Sequence, residues 1–77
     1  MIHSIDLHGL SHKEAIQKTE SALISASFDK VMTCEVITGK SKIMQEKIIK
    51  EVIETYKFDY YIPPHNTGMI IVTQNEL

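Results

Sequence analysis

Twice in this chain a β-prone run closes on a glycine, and a serine two residues later opens an amphipathic helix. The first unit is Ile2 to Leu7, then Gly9 and Ser11; the second is Thr33 to Thr38, then Gly39 and Ser41. Two such units in succession leave few topologies. A strand, a crossover helix and a second strand pair in parallel through a right-handed connection. Glycine at each strand end supplies the turn that a side chain would resist.

In the first strand Ile5 and Leu7 point one way, and Ser4, Asp6 and His8 the other, because side chains alternate along an extended backbone. Ser11-His12-Lys13-Glu14 fits a capping box, serine accepting from the Glu14 N–H and glutamate reaching back to the serine N–H. Ala15, Ile16, Thr19, Ala22, Leu23 and Ala26 then recur at helical spacing, which predicts a helix over His12 to Ser27. A second helix is expected over Lys42 to Tyr56, on the stripe Met44, Ile48, Ile49, Val52, Ile53 and Tyr56. Phe58 to Ile62 reads as a strand at a sheet margin, stopped by Pro63-Pro64, which lack N–H donors. Met69 to Thr73 is apolar on both faces and belongs inside the sheet. It follows the preceding strand too closely for a crossover, so it runs antiparallel. The fold class is α/β, a two-layer α+β sandwich in the order β-α-β-α-β-β with a mixed four-stranded sheet.

Seventy-seven residues make one domain, 1–77, with no room for two cores. The single cysteine, Cys34, cannot form an internal disulfide and reads as a small buried hydrophobe. The N-terminal residues lack the pattern of a signal peptide, and the longest apolar run, Met69 to Val72, is far too short for a membrane span. A reducing, cytoplasmic location is expected. The net charge is −2, so nucleic acid cannot be held by bulk electrostatics, only by a local patch. All eight basic residues are lysine, so guanidinium forks are absent.

Asp6 and His8 lie at the carboxyl end of the first strand, and Thr38-Gly39-Lys40-Ser41 at that of the second. In open α/β sheets ligands gather outside these ends, so the two loops are expected side by side at one rim. Gly39 lets backbone approach a ligand, and Lys40 and Lys42 add charge, with Lys47 and Lys50 extending it. Ser41 serves as a helix cap or as a donor to a phosphate oxygen, and the N–H groups opening the helix favour an anion. The longer glycine arc of a Walker A loop is missing. Each feature also has a plain structural reading. Asp6 caps the following turn, His8 is its partner, and Thr38 to Ser41 is a strand-to-helix connection with solvated lysines. Asp6, His8 and His12 form a weak metal-ligand pattern. His65 and Asn66 are loop residues within reach of the same rim.

Ile5-Asp6-Leu7-His8-Gly9-Leu10 resembles the LDLHG signature that opens the Smr (small MutS-related) domain. Val36-Ile37-Thr38-Gly39 is similar to the strand leading into that family's T-G-x-G or H-G-x-G loop. Gly68-Met69-Ile70-Ile71-Val72 resembles its glycine turn and last apolar strand. The resemblance spans about Ser4 to Thr73. It implies a fold similar to the C-terminal domain of translation initiation factor three, with both helices on one face of a sheet ordered 1-2-4-3. It also implies binding of DNA or RNA, branched or single-stranded, and endonuclease activity. By position it links catalysis to Asp6 and His8 and to the loop residues Thr38, Gly39 and Lys40. The expected catalytic pair is Asp6 and His8, and the expected phosphate or nucleic-acid contacts are Thr38, Gly39, Lys40, Ser41, Lys42 and Gly68. A Mg or Mn divalent cation is a candidate cofactor, with Asp6 its candidate ligand. Ser41 replaces the second glycine of T-G-x-G, and His65-Asn66-Thr67-Gly68 keeps only the last glycine of the later turn. The alternative is therefore a catalytically inactive module that binds nucleic acid or protein. The chain is expected to be a monomer or a weak homodimer, Ile2 or Ile70 lying on an open sheet face, and Smr domains often form part of a larger protein.

Overall fold

A computed structural model describes residues 2–76. Strand β1 (Ile2–Asp6) is followed by helix α1 (His12–Ala26), strand β2 (Val31–Ile37) and helix α2 (Lys42–Ile48), which continues as a π-helical turn over Ile49–Ile53. Strands β3 (Asp59–Tyr61) and β4 (Met69–Asn75) complete the chain. The sheet order is β1-β2-β4-β3. β1 and β2 are parallel, and β4 is antiparallel to both β2 and β3. This is the expected mixed α+β architecture, with the apolar fourth strand inside.

Alternation builds the two faces. Ile5 on β1, Met32, Cys34 and Val36 on β2, and Ile70 and Val72 on β4 share one side through their register. That side joins Ala15, Leu23 and Ala26 of α1 and Met44, Ile48, Val52 and Ile53 of the second helical segment in one core. Both helices thus cover the same face. Ile70 is fully buried beneath them, which corrects its expected place on the open face; Ile71 points there, and Ile2 is 70% exposed. Cys34 is buried, and burial, with a smaller contribution from Glu35, pushes its thiol up to about 11. It stays protonated and unreactive at neutral pH.

β2 and β4 are longer than their β-prone cores because they pair with each other from Val31↔Asn75 to Ile37↔Met69. β3 is only three residues, an exposed edge that ends before the prolines. The second helix departs most from expectation. A continuous α-helix would carry the apolar stripe around its axis between Met44 and Ile53. The wider i→i+5 turn absorbs about one residue and returns Val52 and Ile53 to the core side, in line with Met44 and Ile48. Glu54 N–H donates to Ile49 C=O at 2.8 Å in this turn, and at the helix exit Phe58 N–H donates to Ile53 C=O at 3.0 Å. Tyr56 lies beyond the helix and is exposed, its hydroxyl donating to Glu20 Oε2 of α1 at 2.9 Å.

The chain leaves this helix through Lys57, the one described non-glycine residue with positive φ (61°). That left-handed position at a helix exit favours glycine. Lys57→Gly should stabilise the domain by about 1 kcal/mol, read as a higher urea midpoint at unchanged slope. At the start of α1 the full capping box forms, Ser11 N–H to Glu14 Oε1 and Glu14 N–H to Ser11 Oγ both at 3.2 Å. The Ser11 side chain, and secondly its N–H, hold the Glu14 carboxyl below the ordinary glutamate range. This support is present above the ordinary value of about 4.3 and is lost as pH falls through the lowered value. The stability gap between the natural chain and Glu14→Gln should therefore close on acidification, measured by denaturation across that range.

Candidate nucleic-acid interface

The parallel pairing of β1 with β2 brings their carboxyl ends together, with Asp6 opposite Ile37. Leu7 carries the register one step further, its N–H donating to Ile37 C=O at 2.9 Å. Its side chain is 1% exposed, so the residue between Asp6 and His8 is a core anchor. The chain then turns sharply. Asp6 Oδ1 accepts from the His8 N–H at 2.9 Å, and Leu10 N–H donates to Leu7 C=O at 3.2 Å. Gly9 has φ +80°, and a Cβ there would meet nothing within 4 Å, so conformation and not space demands glycine. The His8 side chain is exposed. Asp6 therefore holds His8 through its backbone and not through the imidazole, which answers the expectation that the two side chains form a pair. Lys18 of α1 donates from Nζ to Asp6 C=O at 3.2 Å, placing a cation beneath the turn.

The second loop is locked to the third. Thr38 N–H and Gly39 N–H both donate to Gly68 C=O, at 2.9 and 3.0 Å. Gly39 has φ +70° and open space around its Cα. Gly68 is confined instead, since a Cβ there would lie 3.3 Å from Gly39 C and 3.4 Å from Gly39 Cα. Asn66 Oδ1 accepts from Gly68 N–H at 3.1 Å and shapes the turn. The buried Gln45 side chain ties the pieces together, its Nε2 donating to Thr38 Oγ1 at 3.0 Å and to Thr67 C=O at 2.8 Å. Thr38 Oγ1 in turn donates to Gly39 C=O at 2.7 Å. Ser41 caps α2, accepting from Met44 N–H at 3.2 Å.

These bonds divide the expected binding residues into two groups. Thr38, Gly39 and Gly68 spend their polar groups on one another. Lys40, Ser41 and Lys42 are exposed and stand at the outer surface of the loop. The structure thus gathers at one rim Asp6 and His8 from the first loop, Thr38 to Lys42 from the second, and Gly68 from the third, while Lys47 and Lys50 lie further along the second helical segment. Asn66 is at the rim, as expected of that loop, and it acts there by accepting from Gly68 N–H. Gln45 and Lys18 were not singled out by sequence. Gln45 carried a signal, a polar residue beside the apolar stripe at Met44. Lys18 carried none, because its role depends on which segments meet.

Charge is distributed unevenly. Lys13, Lys18, Lys40 and Lys42 and three of the four histidines, His8, His12 and His65, belong to the segments forming or flanking this rim. Asp6 is the carboxylate at its centre, and Glu14 nearby is engaged with Ser11. Among the described residues no three His, Cys, Asp or Glu side chains group to hold a metal ion. One oxygen of Asp6 already serves the turn. A Mg²⁺ or Mn²⁺ ion here would take Asp6 as its one carboxylate ligand, with water and substrate phosphate completing the shell. A pocket of about 340 Å³ lies at the other end of the sheet, lined among others by Tyr56, Phe58, Asp59 and Gln74. The rim itself is an open surface. No described helix is long and apolar enough to cross a membrane.

A two-layer α+β domain with three loops converging at the carboxyl ends of its parallel strands is the class these features define. The Smr domain matches residues 5–62, three quarters of the chain, and the protein belongs to that family, which is nucleic-acid-binding and nuclease-related. No curated protein and no solved structure matches it.

Replacing Gln45 by Leu keeps the volume but leaves Thr67 C=O and Thr38 Oγ1 without their donor. A loss of about 1–3 kcal/mol is expected. Hydrogen exchange should speed up at the Thr38 and Gly39 amides more than in β2.

Proposed function

We propose that this rim grips the phosphodiester backbone of DNA or RNA and that the protein cleaves it as an endonuclease. The observation that carries the reading is the parallel pairing of β1 and β2, which puts exposed His8 and exposed Lys40, Ser41 and Lys42 in loops leaving adjacent strand ends, in a chain of a nucleic-acid-binding, nuclease-related family.

Phosphodiester cleavage needs an oxygen nucleophile to lose a proton as it attacks phosphorus, and the departing oxygen to gain one as its P–O bond breaks. An imidazole titrates near neutral pH and serves either transfer. His8 has that role, its ring exposed at the turn. Asp6 is a positioning residue: it holds the His8 backbone and so aims the ring. Lys40 and Lys42 neutralise the phosphate, and the Lys40 and Ser41 amides lie where charge develops on its oxygens. Thr38, Gly39 and Gly68 fix the loop that presents them. A chain of net charge −2 derives its affinity from these few contacts, so binding should weaken with salt but with a shallow slope.

A second reading is favoured by Ser41. Its side chain occupies the position of the second loop glycine, and its oxygen is engaged in capping α2. On that reading the rim binds without cutting.

Labelled single-stranded, branched and duplex substrates of DNA and RNA, with and without Mg²⁺ or Mn²⁺, separate the two. Cleavage should disappear in His8→Ala while binding persists. Asp6→Asn keeps an oxygen for the His8 N–H and should retain more activity than Asp6→Ala. Lys40→Ala should weaken binding to all sequences and reduce the log–log salt slope by about 0.7–0.9. Salt-dependent binding without cleavage would leave the binding module. Absence of both would remove nucleic acid as the ligand.

A further inference from the structure

The sheet has a second surface, away from the rim. Register sets its rows: Ser4, Glu35, Ile71 and Tyr61 stand side by side, with Asp6, Ile37 and Met69 above them. Below lie Ile2, Thr33, Thr73 and Asp59. These residues alternate with those that meet the helices; Ile71 is buried among its neighbours, while Ile2, Ile37, Asp59 and Tyr61 are exposed. Ile37 and Tyr61 are exposed large hydrophobics, and they flank Met69 and Ile71 to form a continuous apolar strip. Glu35 and Asp59 border it, while Asp6 at its upper end belongs to the rim. No lysine lies in any strand; all eight belong to helices, turns or loops. An apolar strip bordered by two carboxylates, with no lysine on its strands, is the feature to be explained.

We propose that this face docks a protein segment that carries lysine or arginine beside apolar side chains. Charge selects that occupant. A phosphate backbone meets Glu35 and Asp59 here and is repelled, whereas it meets lysines at the rim. A second copy stacked face to face about a two-fold axis would set acidic borders against each other, and like charges in apposition are unfavourable. A cationic amphipathic segment satisfies both features, its apolar side chains on the Ile37–Tyr61 strip and its cations at the carboxylates. The surface is distinct from the nucleic-acid rim, and the proposal holds whether or not the rim cleaves.

The test is an NMR titration of the intact chain with three probes: a synthetic amphipathic helix of leucine and lysine, its counterpart with glutamate in place of lysine, and a single-stranded oligonucleotide. The lysine helix should bind at least about tenfold more tightly than the glutamate helix and shift Ile37, Tyr61 and Ile71. The oligonucleotide should shift Gly39 and Lys40 and leave the face unchanged. Asp59→Lys, at an exposed edge position where folding is not at stake, should weaken the lysine helix several-fold, and Glu35→Lys with Asp59→Lys should abolish its binding. Equal affinity for the two helices, indifference to Asp59→Lys, or oligonucleotide shifts on this face would overturn the proposal. So would concentration-dependent dimerisation, in sedimentation, that Asp59→Lys enhances.

Discussion

One carbonyl holds the functional rim together. Gly68 C=O accepts from both Thr38 N–H and Gly39 N–H, and it can do so because residue 68 has no side chain to keep Gly39 at a distance. The contact extends the β2–β4 ladder past Ile37↔Met69 into the loops. A loop that would otherwise hang from the end of β2 becomes a continuation of the sheet. Gln45 adds a clamp from the helix side, so the loop is fixed from two directions. The Lys40 and Ser41 backbone then emerges from a fixed base, and a fixed base lowers the cost of ordering a ligand contact.

The first loop reaches the same rigidity by another route. Leu7 is sunk in the core between two residues that serve the surface, so the Asp6–His8 turn is fastened to the same apolar cluster that carries α1 and β2. The rim is thus defined by packing on one side of each loop and by backbone hydrogen bonds on the other. The π turn contributes from a distance. By taking up one residue beyond Ile48, it lets a single helix present Gln45 to the loops at one end and Val52 and Ile53 to the core at the other.

Much of this was legible in the chain itself. The two strand–glycine–serine–helix units set the parallel pair, and the double-sided apolarity of Met69 to Val72 put the last strand inside. Both are local patterns with a single physical reading. The capping box was legible for the same reason, since its partners are three residues apart. What escaped is what depends on distant segments meeting. Nothing in the sequence marks Lys18, and Asn66 was legible only as a loop residue near the rim, because the partners of both are set by loop placement. The π turn was hidden because an apolar stripe of that length fits an uninterrupted α-helix nearly as well. Asp6 was legible as a candidate position but its hydrogen bond was not: spacing places it beside His8, and only coordinates distinguish a bond to the ring from a bond to the backbone.

The three glycines differ in what they demand, and the difference has a stereochemical consequence. Gly9 and Gly39 need a left-handed backbone yet have vacant space around the α-carbon, whereas Gly68 needs the space itself. A residue of inverted configuration prefers the very dihedral angles that the first two adopt. D-alanine installed at either by chemical synthesis would match that backbone and restrict the unfolded chain, while at Gly68 an ordinary L side chain would press on the Gly39 backbone. The rim therefore contains two positions where handedness, and one where bulk, is the governing requirement.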